Sequence, residues 1–159
     1  MLYADSSALI KRYVTEIGTD EINAEIDKTA SSLRPVLTSV LSFAEIHAAL
    51  ARKLNDKTLP ATEYHWAATK FNSDWKTYLT KVELSQAVLT LVPGLVKRHP
   101  LKGSDAVHLA SAVWLRQSVQ LGKSQKVHSG TFVFATSDKQ LARAAEKEQI
   151  KVFDPEAAG

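Results

Sequence analysis

Four acids in this chain are of types and spacings that could do chemistry together: Asp5, Glu45, Asp105 and Asp138. Asp5 ends a short apolar run, Met1 to Ala4, and is followed by Ser6 and Ser7. Asp105 follows Ser104 at the head of an apolar helical pattern. Asp138 follows Thr136 and Ser137, just past the clearest strand pattern of the chain. Glu45 lies inside a helical pattern, on a stripe with Leu41, Ala48, Ala49 and Arg52. Carboxylates gathered in one cleft cannot all stay ionised without a cation. Hard oxygen donors of this kind suit Mg²⁺ or Mn²⁺ rather than zinc or copper. Such a site activates water, orients a phosphodiester and stabilises the departing oxygen.

Each acid also has an ordinary structural account. Asp5, Ser6 and Ser7 are all good helix N-caps, and if a serine caps, the Asp5 carboxylate is left for a metal. Ser137 with Gln140 three residues on reads as a capping box, which makes Asp138 the first helical residue, where an acid favours the helix dipole. The same account covers Asp105. Glu45 has no capping role, so it either pairs with Arg52 or works in a site. The set of four says more than its members.

The elements that must position these acids alternate between short strands and helices. The sequence predicts strands at Leu2 to Ala4, Val36 to Thr38, Lys81 to Leu84, Thr131 to Thr136 and Lys151 to Phe153. Helices are expected over Ser6 to Val14, Thr19 to Ala30, from Ser39 or Ser42 to Leu54, and Pro60 to Leu79. Three more are expected over Gln86 to Arg98, Ser104 to Ser118 and Asp138 to Lys147. Pro93-Gly94 is expected to kink or break the first of these three, and the polar stretch Gln120 to Gly130 reads as a mobile loop. Alternation of this kind implies an α/β fold, a short parallel sheet covered by helices on both faces. In such sheets ligands bind beyond the carboxyl ends of the strands, which is where Asp5, Thr136 and Asp138 fall.

The chain has 159 residues, 45% hydrophobic and 23% charged, and reads as a single domain over residues 1–159. It has no cysteine, which excludes disulfides, zinc-thiolate sites and cysteine nucleophiles. No leader pattern and no apolar run of about 20 residues is present, so a cytoplasmic location without a membrane is expected. The net charge of +3 permits a polyanionic partner without requiring one.

Four segments make a family resemblance. They are Ala4-Asp5-Ser6-Ser7-Ala8-Leu9-Ile10-Lys11, Ser42 to Leu50 with Arg52, Asp105-Ala106-Val107-His108-Leu109-Ala110-Ser111-Ala112, and Ala135-Thr136-Ser137-Asp138-Lys139-Gln140-Leu141. In this order and spacing the chain resembles the PIN-domain ribonucleases, in particular the VapC-type toxins of toxin–antitoxin pairs. The resemblance implies an α/β/α sandwich and Mg²⁺- or Mn²⁺-dependent hydrolysis of RNA by a metal-activated water. It assigns Asp5 and Asp105 as direct metal ligands and Glu45 and Asp138 as completing the site. Ser7 or Thr136 would hold a carboxylate or a metal-bound water. It also implies a homodimer and a small cognate antitoxin.

Other residues carry a structural account beside a functional one. His108 either touches the scissile phosphate or is a packed, hydrogen-bonded helix residue; His47 and His65 read as structural. Lys97 to Lys102 and the group Lys123, Lys126, His128 either grip an RNA backbone or form solvated surface. The stripe Tyr64, Phe71, Trp75, Tyr78 has the period of a buried or dimer face more than of a base-stacking platform. Rival functions are a PIN-like RNA-binding or regulatory domain without catalysis and a metal-dependent DNA nuclease. A haloacid-dehalogenase-type phosphatase would need a second Asp where Ser7 stands.

Overall fold

Strand β1 (Leu2–Ala4) is the centre of a five-stranded sheet of order β3-β2-β1-β4-β5. Its neighbours are β2 (Val36–Ser39) on one side and β4 (Val133–Ala135) on the other, with β3 (Thr80–Val82) and β5 (Lys151–Phe153) at the edges. Every pairing is parallel. The structure, a computed structural model, describes residues 1–120 and 132–157. The expected loop from Gln120 to Gly130, its Lys123, Lys126 and His128, and Thr131 at the start of the predicted strand lie outside the described residues or at their edge.

Alternation along the strands builds two cores. Leu2, Ala4 and Ala135 face one way and Tyr3 and Phe134 the other, as the period of two requires. The first face is covered by α1 (Ser6–Leu9), α2 (Thr19–Ser31), α3 (Leu41–Asn55) and α4 (Ala61–Thr77). The second is covered by α5 (Gln86–Leu89), α6 (Val92–Arg98), α7 (Gly103–Gln120) and α8 (Lys139–Lys147). The result is the expected three-layer α/β/α sandwich. The aromatic stripe of α4 is core: Phe71 is fully buried, and Tyr64, Trp75 and Tyr78 pack against the same cluster.

Three local expectations are corrected. The helix after β1 does not run to Val14; α1 stops at Leu9 and continues as a 3₁₀ turn over Ile10–Arg12. The segment 86–98 breaks at Thr90-Leu91, ahead of Pro93, which falls in the first turn of α6 where its missing N–H is no loss. Asp138 is not the first helical residue. It is itself the N-cap of α8, accepting from the N–H groups of Gln140 and Leu141 at 2.8 Å each. The Ser137 hydroxyl caps nothing and has no hydrogen-bond partner among the described residues.

The topology places the site. From β1 the chain moves outward through β2 to β3, then returns across the second face to β4, next to β1. The strand order therefore reverses between β1 and β4, and a crevice opens beyond their carboxyl ends. Ala4 pairs with Ala135, so the next residues, Asp5 and Thr136, stand level on either side of that crevice.

Candidate active site

Asp5 is the most constrained acid. It leaves β1 with an extended backbone and caps α1, its Oδ1 accepting from the Ala8 N–H at 2.9 Å. The Ser7 hydroxyl donates to the same carboxylate at 2.9 and 3.0 Å, and the Thr136 hydroxyl donates to Oδ2 at 2.8 Å. Capping thus does not pass to Ser6 or Ser7; Asp5 caps while facing the crevice. Three donors for about four lone-pair positions leave room for one further partner. Burial pushes the Asp5 carboxyl above its ordinary value, even though His108 and the three donors pull the other way. A buried carboxylate in this position gains from any cation that approaches.

Thr136 does double duty at the end of β4. Besides holding Asp5, its Oγ1 accepts from the Asp138 N–H at 3.1 Å. Ser7 Oγ accepts from the Ser137 N–H at 2.9 Å. The two hydroxyls expected to support the site therefore tie the β1 end to the β4 end.

Glu45 reaches the crevice from α3 but does not pair with Arg52. Its Oε2 accepts from the Ser6 hydroxyl and from His108 Nε2, the latter at 2.8 Å. Burial alone would raise this carboxyl. The hydrogen bonds from His108 and Ser6, the charge of His108 and the Ser104 hydroxyl outweigh burial and hold it at about 2. Glu45 is thus the anion of the set that the protein itself stabilises.

Asp105 is half-buried in the first turn of α7. Its carboxyl is pushed up by burial and then by the negative charges of Asp138 and Glu45, against the pull of His108 and Lys102. The acids therefore sense one another, as like charges in one cleft must.

All four acids line one cleft of about 430 Å³, together with Ser6, Ser7, His108 and Arg52. Its wall along α3 is Glu45, Ala48, Ala49 and Arg52, so small side chains leave an open track between an acid and a base. Arg52 lies two turns, about 10.5 Å, along the helix axis from Glu45. The donor set is all oxygen and suits a hard dication. Among the described residues, no group of three or more acid or imidazole side chains is already drawn together around an ion position.

His108 is the residue whose part the sequence left undecided. It is 2% exposed and packed, as its structural reading expects, yet it bonds directly to Glu45. The available signal was its position three residues after Asp105, on the same side of α7. Of the basic segment before Asp105, Arg98 and His99 are committed to Glu148, each at 2.8 Å. Only Lys97 and Lys102 remain as exposed cations there. His47 is structural, packed on Phe43 and Phe71 with Nε2 3.1 Å from Asn72 Oδ1.

Comparison with known proteins sets this chain in a family. The chain is 34% identical over 113 residues to ribonuclease VapC45 of Mycobacterium tuberculosis (strain CDC 1551 / Oshkosh), covering 71% of this chain and 75% of that protein. Ribonuclease VapC49 of M. tuberculosis strain H37Rv matches to the same extent. The chain belongs to the VapC ribonuclease family. Its fold is also that of two solved structures at low sequence identity. One is VapBC2 from Rickettsia felis bound to a DNA fragment from its promoter, with a TM-score of 0.61 at 11% identity over 97% of this chain and 98% of that one. The other is FitAcB from Neisseria gonorrhoeae, with a TM-score of 0.61 at 13% identity over 98% of both chains. No family model matches the chain. No helix among the described residues is long and apolar enough to cross a membrane.

Proposed function

We propose that this VapC-family chain is a Mg²⁺- or Mn²⁺-dependent endoribonuclease, the toxin of a toxin–antitoxin pair. It acts in the cytoplasm as a homodimer and is restrained by a small cognate antitoxin. The observation that carries the catalytic reading is Asp5, a buried carboxylate at the β1–β4 switch point that faces three other acids across one cleft. The support for a restraining partner is the family membership and the likeness of fold to VapBC2 and FitAcB.

Asp5 and Asp105 would hold the dication directly, and Glu45 and Asp138 would complete its surroundings. The bound ion would supply Lewis acidity, activating water and neutralising charge that builds on the phosphate. The chain's own residues prepare the rest. Ser7 and Thr136 fix the Asp5 carboxylate between two strand ends. Arg52, without a carboxylate partner among the described residues, would take an RNA phosphate beside the scissile one. The open Ala48–Ala49 track leaves space for the strand between them.

A non-catalytic RNA-binding domain on the same fold is the rival reading. Thermal unfolding with increasing Mn²⁺ separates the two. A site in the folded state raises the melting temperature with ion concentration, and the rise is lost in Asp5→Asn. No shift at millimolar Mn²⁺ contradicts the metal reading and favours the binding domain.

A further inference from the structure

We infer that Tyr3 and His108 form a fixed hydrogen-bond relay, Tyr3 Oη to His108 Nδ1 and His108 Nε2–H to Glu45 Oε2, that positions Glu45 from the opposite layer of the fold. The inference deepens the nuclease reading and rests on Glu45 belonging to the active cleft.

The direction of the relay follows from what each group can do. Tyr3 is fully buried and His108 is 2% exposed. His108 Nε2 lies 2.8 Å from Glu45 Oε2, and an ionised carboxylate only accepts, so Nε2 carries the proton. The other ring nitrogen, Nδ1, bonds the Tyr3 hydroxyl 2.9 Å away. Burial raises the Tyr3 phenol well above its ordinary range, so it stays a neutral hydroxyl. The Tyr3 ring is itself wedged edge-on against His108 and tilted against Phe134, which leaves it little freedom to turn away.

The placement matters because the relay crosses the sheet. Tyr3 and α7 belong to the second core, while Glu45 stands on α3 in the first layer. Passing over the carboxyl end of β1, the relay joins the two layers at the cleft. Helix α7 therefore governs two acids, Asp105 directly and Glu45 through His108. Both His108 and Ser6 bond to the same oxygen, Oε2, so the carboxylate is gripped from one side. Tyr3 and His108 are positioning residues on this account, since each acts through Glu45. Outer partners of this kind set the orientation of a ligating carboxylate.

The test combines a spectroscopic and a binding measurement on the full chain. The nitrogen-15 spectrum of the His108 imidazole should show Nε2 protonated in the wild type. In Tyr3→Phe, which keeps the aromatic ring, the His108 nitrogen resonances should shift and broaden as the imidazole loses its second anchor. Calorimetric Mn²⁺ titration should show roughly 10- to 100-fold weaker binding in His108→Leu. His108→Gln, whose amide can still donate to Glu45, should recover most of that loss. RNA cleavage by His108→Leu should fall in kcat with KM little changed. An unprotonated Nε2 in the wild type, or Mn²⁺ binding by a folded His108→Leu equal to wild type, overturns the relay alone. A wild type that binds no Mn²⁺ overturns the metal reading and the relay with it.

Discussion

The Thr136 hydroxyl donates to Asp5 Oδ2 at 2.8 Å, joining the ends of two neighbouring parallel strands at the point where the strand order reverses. A residue 131 positions away in sequence thus holds the acid that β1 delivers. Thr136→Val removes this donor while conserving shape. It leaves the buried Asp5 carboxylate with one partner fewer, a cost of about 1–3 kcal/mol in unfolding free energy. Urea denaturation at neutral pH reads this, and RNA cleavage by the variant should fall.

Asp5→Asn separates stability from function. Asparagine caps a helix as well as aspartate does, so α1 keeps its N-terminus. Because burial raises the Asp5 carboxyl, its ionised form costs folding energy at neutral pH in the absence of a cation. The metal-free variant should melt at or above the wild-type temperature at neutral pH, and that advantage should fade as pH falls through the raised value. A variant that melts well below wild type would show that Asp5 is held for stability.

Glu45 has the opposite sign. Its carboxyl sits at about 2 in the fold against an ordinary value of 4.5, so its ionisation stabilises the fold above that ordinary value. That contribution is lost as pH falls from about 4.5 to about 2. Glu45→Gln should therefore be less stable than wild type at neutral pH, and the two melting curves should converge across that acid window.

Arg52→Ala tests the proposed phosphate contact. Binding of a single-stranded RNA should weaken, and the slope of log affinity against log salt should shrink by about 0.7 for one lost contact. KM should rise more than kcat falls, because the contact lies away from the reacting bond. An unchanged salt slope would remove Arg52 from the RNA path.

Strand ends were the legible part of this chain. The apolar runs before Asp5 and Asp138 stop abruptly, and the alternation of strands with helices fixes a parallel sheet whose carboxyl ends gather those acids. Local choices among equal candidates were less legible. Ser137 and Asp138 are both good caps, and the choice fell to Asp138 because the Thr136 hydroxyl takes the Asp138 N–H and orients it. Arg52 shares a stripe with Glu45, yet Glu45 turns to Ser6 and His108. Those partners come from 39 and 63 residues away. No periodicity along α3 reports them, because Ser6 comes from α1 and His108 from α7 in the opposite helical layer.

The most direct test of the central claim is hydrolysis of structured RNA by the chelator-stripped protein after Mg²⁺ or Mn²⁺ is returned. Wild type should cut only with the metal, and folded Asp5→Asn and Asp105→Asn should lose most of the rate. Equal cleavage by all three proteins, or full cleavage in excess chelator, would contradict an acidic metal site at the β1–β4 switch point.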